Sequence, residues 1–509
     1  MRNDLNSRHG AAGRRSLPAK CLGTALLWVM VVTAGCDRTP DRPVPKETSR
    51  NVILILIDTL RADKLGCYGN SLGLTPNIDR LAAGGFRFDQ AFSHAPWTLP
   101  ATASLLTSAY PQQHGAGVKK GGRSLEFNGL AEGVRTIAQC FYDQGYDTAA
   151  IANVFFLAPQ YGLDRGFSVY DFVAPDRTQR VHRRATEVTD WAVNWIKQQR
   201  KSSNRPFFLL VHYFDPHLAY DPPERFRRKF AMPEDLTPDP TLFGSRGDMI
   251  DFREGRIKPA DLPIKRLEAL YNGEVAYTDE QVGRLVDELG GMGLAEKTLL
   301  VVTADHGEEF FDHGGFEHGH SLYDEMIRVP LIFWAPGLIR PGEARKSVGH
   351  VDVAPTLCSL TRIEPEAKFV GKSLERLLFG ENRLDESVFS QGNMWGPDLT
   401  AIRVKGRHKF IERPPGRELY DIVEDPKETR NLVRESKFIA LADELEKVLA
   451  SFKKLLGERL GTSVKLSKDE IDRLRGGGYW VDIDESGPSD DNDSGLTDRP
   501  ATSAPSSGR

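Results

Sequence analysis

Three uninterrupted apolar runs predict strands that are buried on both faces of one sheet. They cover residues 52–57, 206–212 and 298–304, and Val, Ile, Leu and Phe dominate them. Runs without polar alternation are typical of central strands in a parallel sheet. Helical patterns at residues 183–200 and 267–290 each precede one of the later runs. The chain therefore predicts an α/β domain with a mixed or mostly parallel central sheet and helices on both faces.

Polar side chains follow the first and third runs at the point where each strand should end. Asp58 follows the first run, and Asp305 and His306 follow the third. Because open α/β sheets bind ligands at the carboxyl ends of their strands, we expect these three side chains to meet. Oxygen ligands allow Ca²⁺, and the imidazole favours Mn²⁺, Zn²⁺ or Fe²⁺. For either motif alone, a capping Asp and a hydrogen-bonded buried His are the simpler interpretation.

A short helix is predicted just after residue 97. Thr98 or Leu99 suits the cap, and Pro100 suits the first helical position. A hydroxyl at the mouth of this helix would face unpaired backbone N–H groups and the positive end of the helix dipole. Such a position attracts oxyanions and favours an alkoxide. A Thr before a helix-starting Pro is usually only a cap, so both interpretations stay open on these residues alone.

The chain divides into a large and a small folded part. Residues 51–362 carry the α/β pattern and form the large part. Residues 363–460 predict a smaller C-terminal α+β subdomain, with an antiparallel hairpin at 401–411 and an amphipathic helix at 438–460. Residues 476–509 are rich in Ser, Gly, Pro and Asp, and we expect this tail to be disordered because it has too little apolar surface to bury.

The first 36 residues predict an export signal. Arg14 and Arg15 precede an apolar run at 21–32 that is short for a membrane span. The run leads into Thr-Ala-Gly-Cys36, which resembles a bacterial lipobox. A lipid on Cys36 would anchor the protein at the periplasmic face of the cell envelope, with residues 37–50 as a tether. An uncleaved signal anchor is the alternative, and the export route, Sec or twin-arginine, stays open.

Charge and cysteine content narrow the class of protein further. Lys and Arg number 67 against 71 Asp and Glu, a net charge of −4, and no basic stripe is present, which argues against a nucleic-acid partner. Cys67, Cys140 and Cys358 remain after the leader. Three thiols cannot all pair, and their spacing indicates neither a metal site nor a disulfide framework, so we expect core packing.

Short motifs recur in a fixed order on both sides of the helix after residue 97. They lie at 57–63, 66–69, 75–79, 110–111, 215–217, 276–279, 303–309, 328–332, 419–421 and 425–426. This ordered set resembles the sulfatase family of the alkaline-phosphatase superfamily. The resemblance spans about residues 50–435 and implies an alkaline-phosphatase-like fold.

The resemblance implies roles for the residues that fill the family's positions. Asp58, Asp305 and His306 correspond to metal ligands, and His217 to the histidine that protonates the leaving oxygen. Thr98 stands where sulfatases carry the Cys or Ser that is oxidised to formylglycine. Threonine would give a ketone by that route and not an aldehyde. A metal-bound Thr98 alkoxide is the implied nucleophile, as in related phosphotransferases, and a cap without chemistry is the alternative.

Four further positions are candidate contacts to the substrate. The family's Lys near Tyr323 has no equivalent, so His318 or His320 would contact the anion, with His320 slightly favoured. Asn153 replaces a second Lys, and Thr102 replaces an Arg. This loss of positive charge favours substrates less highly charged than a phosphate monoester, such as a diester or a phosphonate monoester.

Taken together, the sequence predicts an exported, lipid-anchored metal-dependent hydrolase of sulfate or phosphate esters, acting on a small molecule or a glycan. A phosphoryl-group transferase for an envelope lipid or glycan is a second hypothesis, although such enzymes usually carry several membrane helices. A non-catalytic glycan-binding homologue is a third, and the intact ligand set argues against it.

Overall fold

The apolar runs form the centre of the main sheet because each of them can bury every side chain. We describe a computed structural model of the chain, covering residues 49–118, 126–173, 183–230, 251–252, 256–258, 263–381 and 387–470. Strand β1 (Asn51–Ile57) lies between β7 (Phe207–Tyr213) and β8 (Thr298–Ala304), parallel to both. All residues of these three strands are buried, and successive side chains point to opposite faces, so both faces of the sheet are covered.

Within the described ranges, the main sheet has nine strands and is mostly parallel, as predicted. Its order is β11-β2-β12-β8-β1-β7-β5-β6, and β13 also pairs with β2. Strand β12 runs antiparallel to β8 and β2, and β11 runs antiparallel to β2. The strands not yet given are β2 (Phe86–Phe92), β5 (Asp147–Ala152), β6 (Val169–Phe172), β11 (Arg328–Val329), β12 (Leu331–Trp334) and β13 (Gly342–Gly349).

Helices connect the strands and pack against the sheet and one another. The two long helical patterns are confirmed as α5 (Ala185–Ser202) and α7 (Ile264–Gly291), which contact each other. Both are amphipathic, so their apolar sides can turn inward. The remaining helices of this part are α1 (Pro76–Gly84), α2 (Thr98–Thr107), α3 (Pro111–His114), α4 (Ile137–Asp143), α6 (Glu224–Phe230), α8 (Asp324–Ile327), α9 (Val353–Thr361) and α10 (Glu375–Leu378).

Helix α2 begins two residues earlier than the sequence pattern predicted. Trp97 is its cap and Thr98 its first residue, so Pro100 is third and not first. Proline is tolerated there because the first-turn N–H groups lack partners within the helix in any case. All ten residues of α2 are buried. Buried His114 packs against α2. Its Nε2 lies 3.2 Å from the Pro100 carbonyl oxygen and 3.1 Å from the Ser104 hydroxyl oxygen.

The C-terminal part contains the predicted antiparallel hairpin and amphipathic helix. Helix α11 (Ile439–Leu456) packs on a four-stranded antiparallel sheet, and Leu445 and Leu449 share its buried cluster with Ile402 and Phe410. The strands of this sheet are β14 (Val388–Gln391), β15 (Thr400–Val404), β16 (His408–Arg413) and β17 (Gly416–Asp421). The boundary between the two parts at residue 362 stays a prediction.

Short strands complete the described structure. They form a two-stranded and a three-stranded sheet: β9 (Glu309–Phe310) with β10 (Phe316–Glu317), and β3 (Gly117–Val118) with β4 (Phe127–Gly129) and β18 (Thr462–Ser463). The predicted leader with Cys36, most of the tether and the tail from residue 476 lie outside the described residues. Within the described ranges, no helix combines the length and apolarity that crossing a bilayer requires.

A buried ion cluster joins the C-terminal sheet to α8. The Lys409 ammonium lies 2.9 Å from an Asp324 carboxylate oxygen and 2.7 Å from a Glu428 oxygen, and Arg403 also hydrogen bonds to Asp324. Burial opposes ionisation of Asp324, yet Arg403 and Lys409 hold its pKa below the usual range. Burial raises the pKa of Glu428 to about 7. Each charge here therefore depends on the others for compensation.

Replacing Lys409 with Met should lower the free energy of unfolding by about 3–5 kcal/mol, because it leaves Glu428 buried without its cation. The measurement is urea unfolding followed by fluorescence. Arg376→Met is the matched control, since its pair with Glu381 is exposed and should contribute less than about 1 kcal/mol. Equal losses in the two variants would contradict a structural role for the cluster.

Candidate active site

Three side chains that the sequence placed at one sheet edge meet in the structure. Ligand atoms of Asp58, Asp305 and His306 all lie within 4.8 Å of one another, and all three residues are fully buried. The register explains why: Ile57, the last residue of β1, pairs with Ala304, the last residue of β8. The residues that follow them are therefore neighbours at the same rim.

Hydrogen bonds orient the His306 ring toward the carboxylates. Its Nδ1 lies 2.9 Å from the Gly307 carbonyl oxygen, so this nitrogen donates and Nε2 keeps its lone pair. Nε2 lies 3.4 Å from Asp305 Oδ2 and 3.6 Å from Asp58 Oδ1. Asp305 Oδ1 accepts the backbone N–H groups of His306 and Thr59, whereas its buried Oδ2 accepts no hydrogen bond within the described part of the chain.

The electrostatics of the three residues suit a cation. Burial, followed by the charge of Asp58, raises the pKa of Asp305 to about 6. Burial lowers the pKa of His306 to about 4, which favours the neutral ring that a metal requires. Carboxylate oxygens of two residues and the lone pair of an imidazole thus converge in a buried site. These residues fit a divalent ion.

The Thr98 hydroxyl belongs to the same group. Its Oγ1 lies 3.3 Å from His306 Nε2, and the residue is buried at the start of α2. Three distant segments of the chain therefore bring a hydroxyl, two carboxylates and an imidazole together.

His212 is a neighbour that the sequence pattern assigned to the core. The residue is buried within β7, but its Nε2 lies 3.5 Å from Asp58 Oδ2. Burial lowers its pKa to about 4. His212 is opposite Leu56, two residues before Asp58, so its nearness to this carboxylate follows from the pairing of β7 with β1, which the local sequence does not reveal.

Two more imidazoles stand beside His306. His217 is buried, stacks on Phe214 with ring centroids 4.6 Å apart, and has its Nδ1 2.7 Å from the Leu218 carbonyl oxygen. The His318 ring lies 5.0 Å from the His217 ring and 4.5 Å from the His306 ring. These three rings therefore form a continuous imidazole group beside the carboxylates.

The two histidines of the 318–320 segment have different surroundings. His318 is buried, and its Nδ1 lies 3.0 Å from a Glu308 oxygen; Glu308 also accepts a hydrogen bond from the Tyr220 hydroxyl. The His320 side chain is 27% exposed and pairs with Glu309 at 2.8 Å. His318 thus belongs to the imidazole group, whereas the partly exposed His320 is paired with Glu309.

The remaining candidate positions are neutral and buried. The Asn153 side-chain amide donates to the His212 carbonyl oxygen at 2.9 Å. Thr102 lies one turn after Thr98 in α2, and its hydroxyl oxygen has no hydrogen-bond partner in the described ranges.

Comparison with known proteins decides the family. Residues 50–363, more than half of the chain, match the family model described as Sulfatase, and residues 311–455 match N-sulphoglucosamine sulphohydrolase, C-terminal. The chain belongs to the sulfatase family. The resemblance seen in the motifs is thereby confirmed at the level of the family.

Relatives of this sulfatase-family chain span most of its length. An arylsulfatase of Clostridium perfringens is 26% identical over 472 residues, covering 81% of this chain and 95% of the relative. Human iduronate 2-sulfatase is 27% identical over 376 residues, 63% of this chain and 66% of the relative. The family identifies this protein as a hydrolase of sulfuric or phosphoric esters.

Solved structures confirm the fold. The phosphonate monoester hydrolase of Agrobacterium radiobacter superposes with a TM-score of 0.66 at 21% identity, covering 80% of this chain and 96% of that one. A protein solved in complex with its substrate D-glucosamine-2-N,6-O-disulfate gives a TM-score of 0.66 at 20% identity, with 80% and 98% covered.

Some of the motifs that this chain shares with the sulfatase family stabilise the fold. Asp279 of α7 accepts the backbone N–H groups of Asn77 and Ile78 at 3.1 and 2.7 Å. These donors lie in the first turn of α1 and would otherwise have no partner. The motifs around residues 75–79 and 276–279 therefore hold one helix end against another helix.

Gly307 allows the segment after His306 to lie against α8. Its N–H donates to the Met326 carbonyl oxygen at 2.7 Å, and the next N–H, of Glu308, donates to the Glu325 carbonyl oxygen at 3.0 Å. A Cβ at position 307 would overlap the Glu325 carbonyl oxygen. Position 307, directly after the candidate ligand His306, therefore requires a glycine.

Gly307→Ala should lower the free energy of unfolding by about 1–3 kcal/mol and weaken metal binding, because the added methyl forces the backbone beside His306 to move. Thermal unfolding with and without added Mn²⁺ measures both effects. Gly290→Ala is the control, since its Cβ would meet open space within α7. An unchanged Mn²⁺-induced shift in Gly307→Ala would contradict the assignment of this segment to the metal site.

Proposed function

We propose that this protein hydrolyses a sulfate or phosphate ester of a small molecule or glycan, with Thr98 as the nucleophile and one divalent ion as cofactor. The observation that carries the proposal is the convergence of Thr98 Oγ1 with the buried ligand atoms of Asp58, Asp305 and His306. A helix cap needs no such neighbours, because its hydroxyl bonds only to its own helix.

Asp58, Asp305, His306 and Thr98 would hold the ion. When bound, a divalent cation lowers the pKa of a coordinated hydroxyl and neutralises charge on the ester oxygens. The donor set is compatible with Ca²⁺, Mn²⁺ or Zn²⁺, and the imidazole favours the last two. The pair of adjacent buried carboxylates supports this assignment, since such a pair is costly without a compensating charge.

Thr98 is well placed to attack because it is the first residue of α2. The partial positive charge of the helix N-terminus stabilises negative charge on its oxygen. In the first step, a bond forms from Thr98 Oγ1 to sulfur or phosphorus while the bond to the leaving oxygen breaks. That oxygen takes up a proton, which balances the one that Thr98 loses. Water then attacks the same atom and the Thr98 hydroxyl is restored.

His217 is our candidate for the acid that protonates the leaving oxygen. Its buried ring stands beside His318, and the contact of its Nδ1 with the Leu218 carbonyl oxygen fixes the orientation of the ring. For the contact to the anion oxygens we favour His318 over His320, because His318 adjoins His306 and His320 is paired with Glu309.

The substrate would be a weakly charged anion on a glycan or small molecule. Asn153 and Thr102 add no positive charge, so a sulfate ester, a diester or a phosphonate monoester suits the site better than a dianionic phosphate monoester. The relative that acts on iduronate 2-sulfate and the structural neighbour with a disulfated glucosamine support a sulfated glycan.

Thr98→Ala should lower kcat by roughly 10³-fold or more, and Thr98→Ser should keep part of the activity because it keeps a hydroxyl. Initial rates on aryl sulfate, phosphate monoester, phosphodiester and phosphonate monoester, each with Ca²⁺, Mn²⁺ or Zn²⁺, measure this and identify the substrate class. Thr107→Ala, at the other end of α2, is the matched control. Full activity of Thr98→Ala would contradict the assignment.

His217→Gln should lower kcat/KM by roughly 10²–10⁴-fold on an alkyl ester and far less on a nitrophenyl ester, whose leaving oxygen needs no proton. The ratio between the two esters is the readout, since a general loss of structure would lower both rates equally. His408→Gln, in the C-terminal sheet, controls for loss of an imidazole. An equal loss on both esters would rule out the acid role.

A further inference from the structure

A basic pocket lies apart from the metal site, at the β2 side of the main sheet. It has a volume of about 530 Å³ and is lined by residues of β2, β11 and β13 and of the segment at 67–69. Arg87, Arg328 and Arg345 all line it, and none of its lining residues belongs to the candidate active site. Three guanidinium groups in one cavity are unusual for a chain whose net charge is −4.

Arg328 supplies a charge that local carboxylates do not neutralise. Its Nε and Nη2 both donate to the backbone carbonyl of Asp89, at 3.2 and 2.9 Å. Among the described residues, no carboxylate lies within 4 Å of its guanidinium. Its charge helps to lower the pKa of Asp324, but Asp324 already bonds to Arg403 and Lys409. Arg328 is half-buried and lines the pocket, so the positive charge of its guanidinium group is available to an anion that binds there.

Arg87 forms the fixed wall of the pocket. It pairs with Asp89 at 2.8 Å and with Glu343 at 2.7 Å, and it donates to the Cys67 carbonyl oxygen. The Tyr68 ring lies between two guanidinium groups, 5.3 Å from that of Arg87 and 6.0 Å from that of Arg328. These contacts hold two planar cations in place before any ligand arrives.

Arg345 is the adaptable member of the three. Its side chain is 84% exposed, and its contacts to Asp89 and Glu343 are both long, at 3.7 Å. Both of these carboxylates already make closer bonds to Arg87. Arg345 can therefore turn toward a ligand at little cost, because exposed ion pairs of this length contribute little.

We propose that this pocket binds a sulfate group of a sulfated glycan at a distance from the reacting ester. Planar guanidinium groups pair with tetrahedral oxyanions through two parallel hydrogen bonds, and the cavity is large enough for the sugar that carries the group. This inference rests on the proposed function for the choice of a glycan. It adds that the substrate carries at least two anionic groups, one of which is not hydrolysed.

The connection to the active site is short along the chain. Arg328 follows Met326 and Ile327, whose carbonyl oxygens accept the N–H groups of Gly307 and Ser93. The stretch 326–328 thus contacts Gly307, next to the proposed ligand His306, and also supplies Arg328 to the pocket. A glycan held at both places would gain affinity without new contacts at the reacting ester.

Calorimetric titration of the full-length Thr98→Ala protein with a sulfated uronic-acid tetrasaccharide tests the proposal without turnover. The probe should bind, its chemically desulfated counterpart should bind at least tenfold more weakly, and Arg345→Glu or Arg328→Gln should weaken binding of the sulfated probe roughly tenfold. Arg376→Glu, exposed and outside the pocket, is the control. Equal binding of the desulfated probe, or unchanged affinity in Arg345→Glu, would overturn the proposal.

Turnover separates the failure of this proposal from that of the proposed function. Arg345→Glu, in a chain with Thr98 intact, should raise KM for the sulfated tetrasaccharide while leaving kcat/KM for a small aryl ester unchanged. Binding that depends on Arg345 in a protein that hydrolyses no ester would support the pocket and contradict the proposed function. Equal loss on both substrates would contradict a separate glycan site.

Discussion

The parallel pairing of β1 with β8 is the constraint on which the site depends. It aligns Ile57 with Ala304, so Asp58 and Asp305 leave the sheet side by side although they come from opposite halves of the chain. Both carboxylates are fully buried, and burial, followed by the charge of Asp58, raises the pKa of Asp305. Adjacent buried acids are stable only when protonated or matched by a cation. The strand register thus places two carboxylates where a divalent ion would compensate their charge.

The elements around the two carboxylates add a hydroxyl and imidazoles. Helix α2 supplies the Thr98 hydroxyl and the positive end of its dipole, and the Nε2 of buried His114 lies 3.2 Å from the Pro100 carbonyl oxygen in its first turn. His306, His217 and His318 contribute imidazoles from three segments of the chain, and burial favours the neutral form of His306. A neutral imidazole can bind a metal or transfer a proton, which a permanently charged lysine or arginine cannot do.

Much of the central sheet and of the candidate site could be predicted from the sequence, because uninterrupted apolar runs are best buried as central strands of a sheet. The strand predicted at 298–304 has the predicted bounds, and the two residues after it, Asp305 and His306, meet Asp58 in the structure as predicted. The start of α2 was predicted two residues late, since Pro100 fits inside a first turn as well as at its beginning. His212 looked like core because its nearness to Asp58 depends on pairing with β1, which local sequence does not encode.

The placement of arginines and lysines explains how the fold keeps its reaction centre weakly charged. Arg403 and Lys409 of the C-terminal part form buried ion pairs with Asp324 and Glu428. Arg328 follows the same stretch of backbone but points into the pocket beside β2. At the reaction centre itself, the positions where the family resemblance expects an arginine and a lysine are Thr102 and Asn153. Coulomb attraction in a buried site grows with the charge on both partners, so without these two cations the advantage of a dianion over a monoanion is smaller. In the proposed function, the fold would therefore separate two tasks: the permanent cations would hold the structure and attract the anionic substrate, and the candidate ion site with its imidazoles would carry out the reaction.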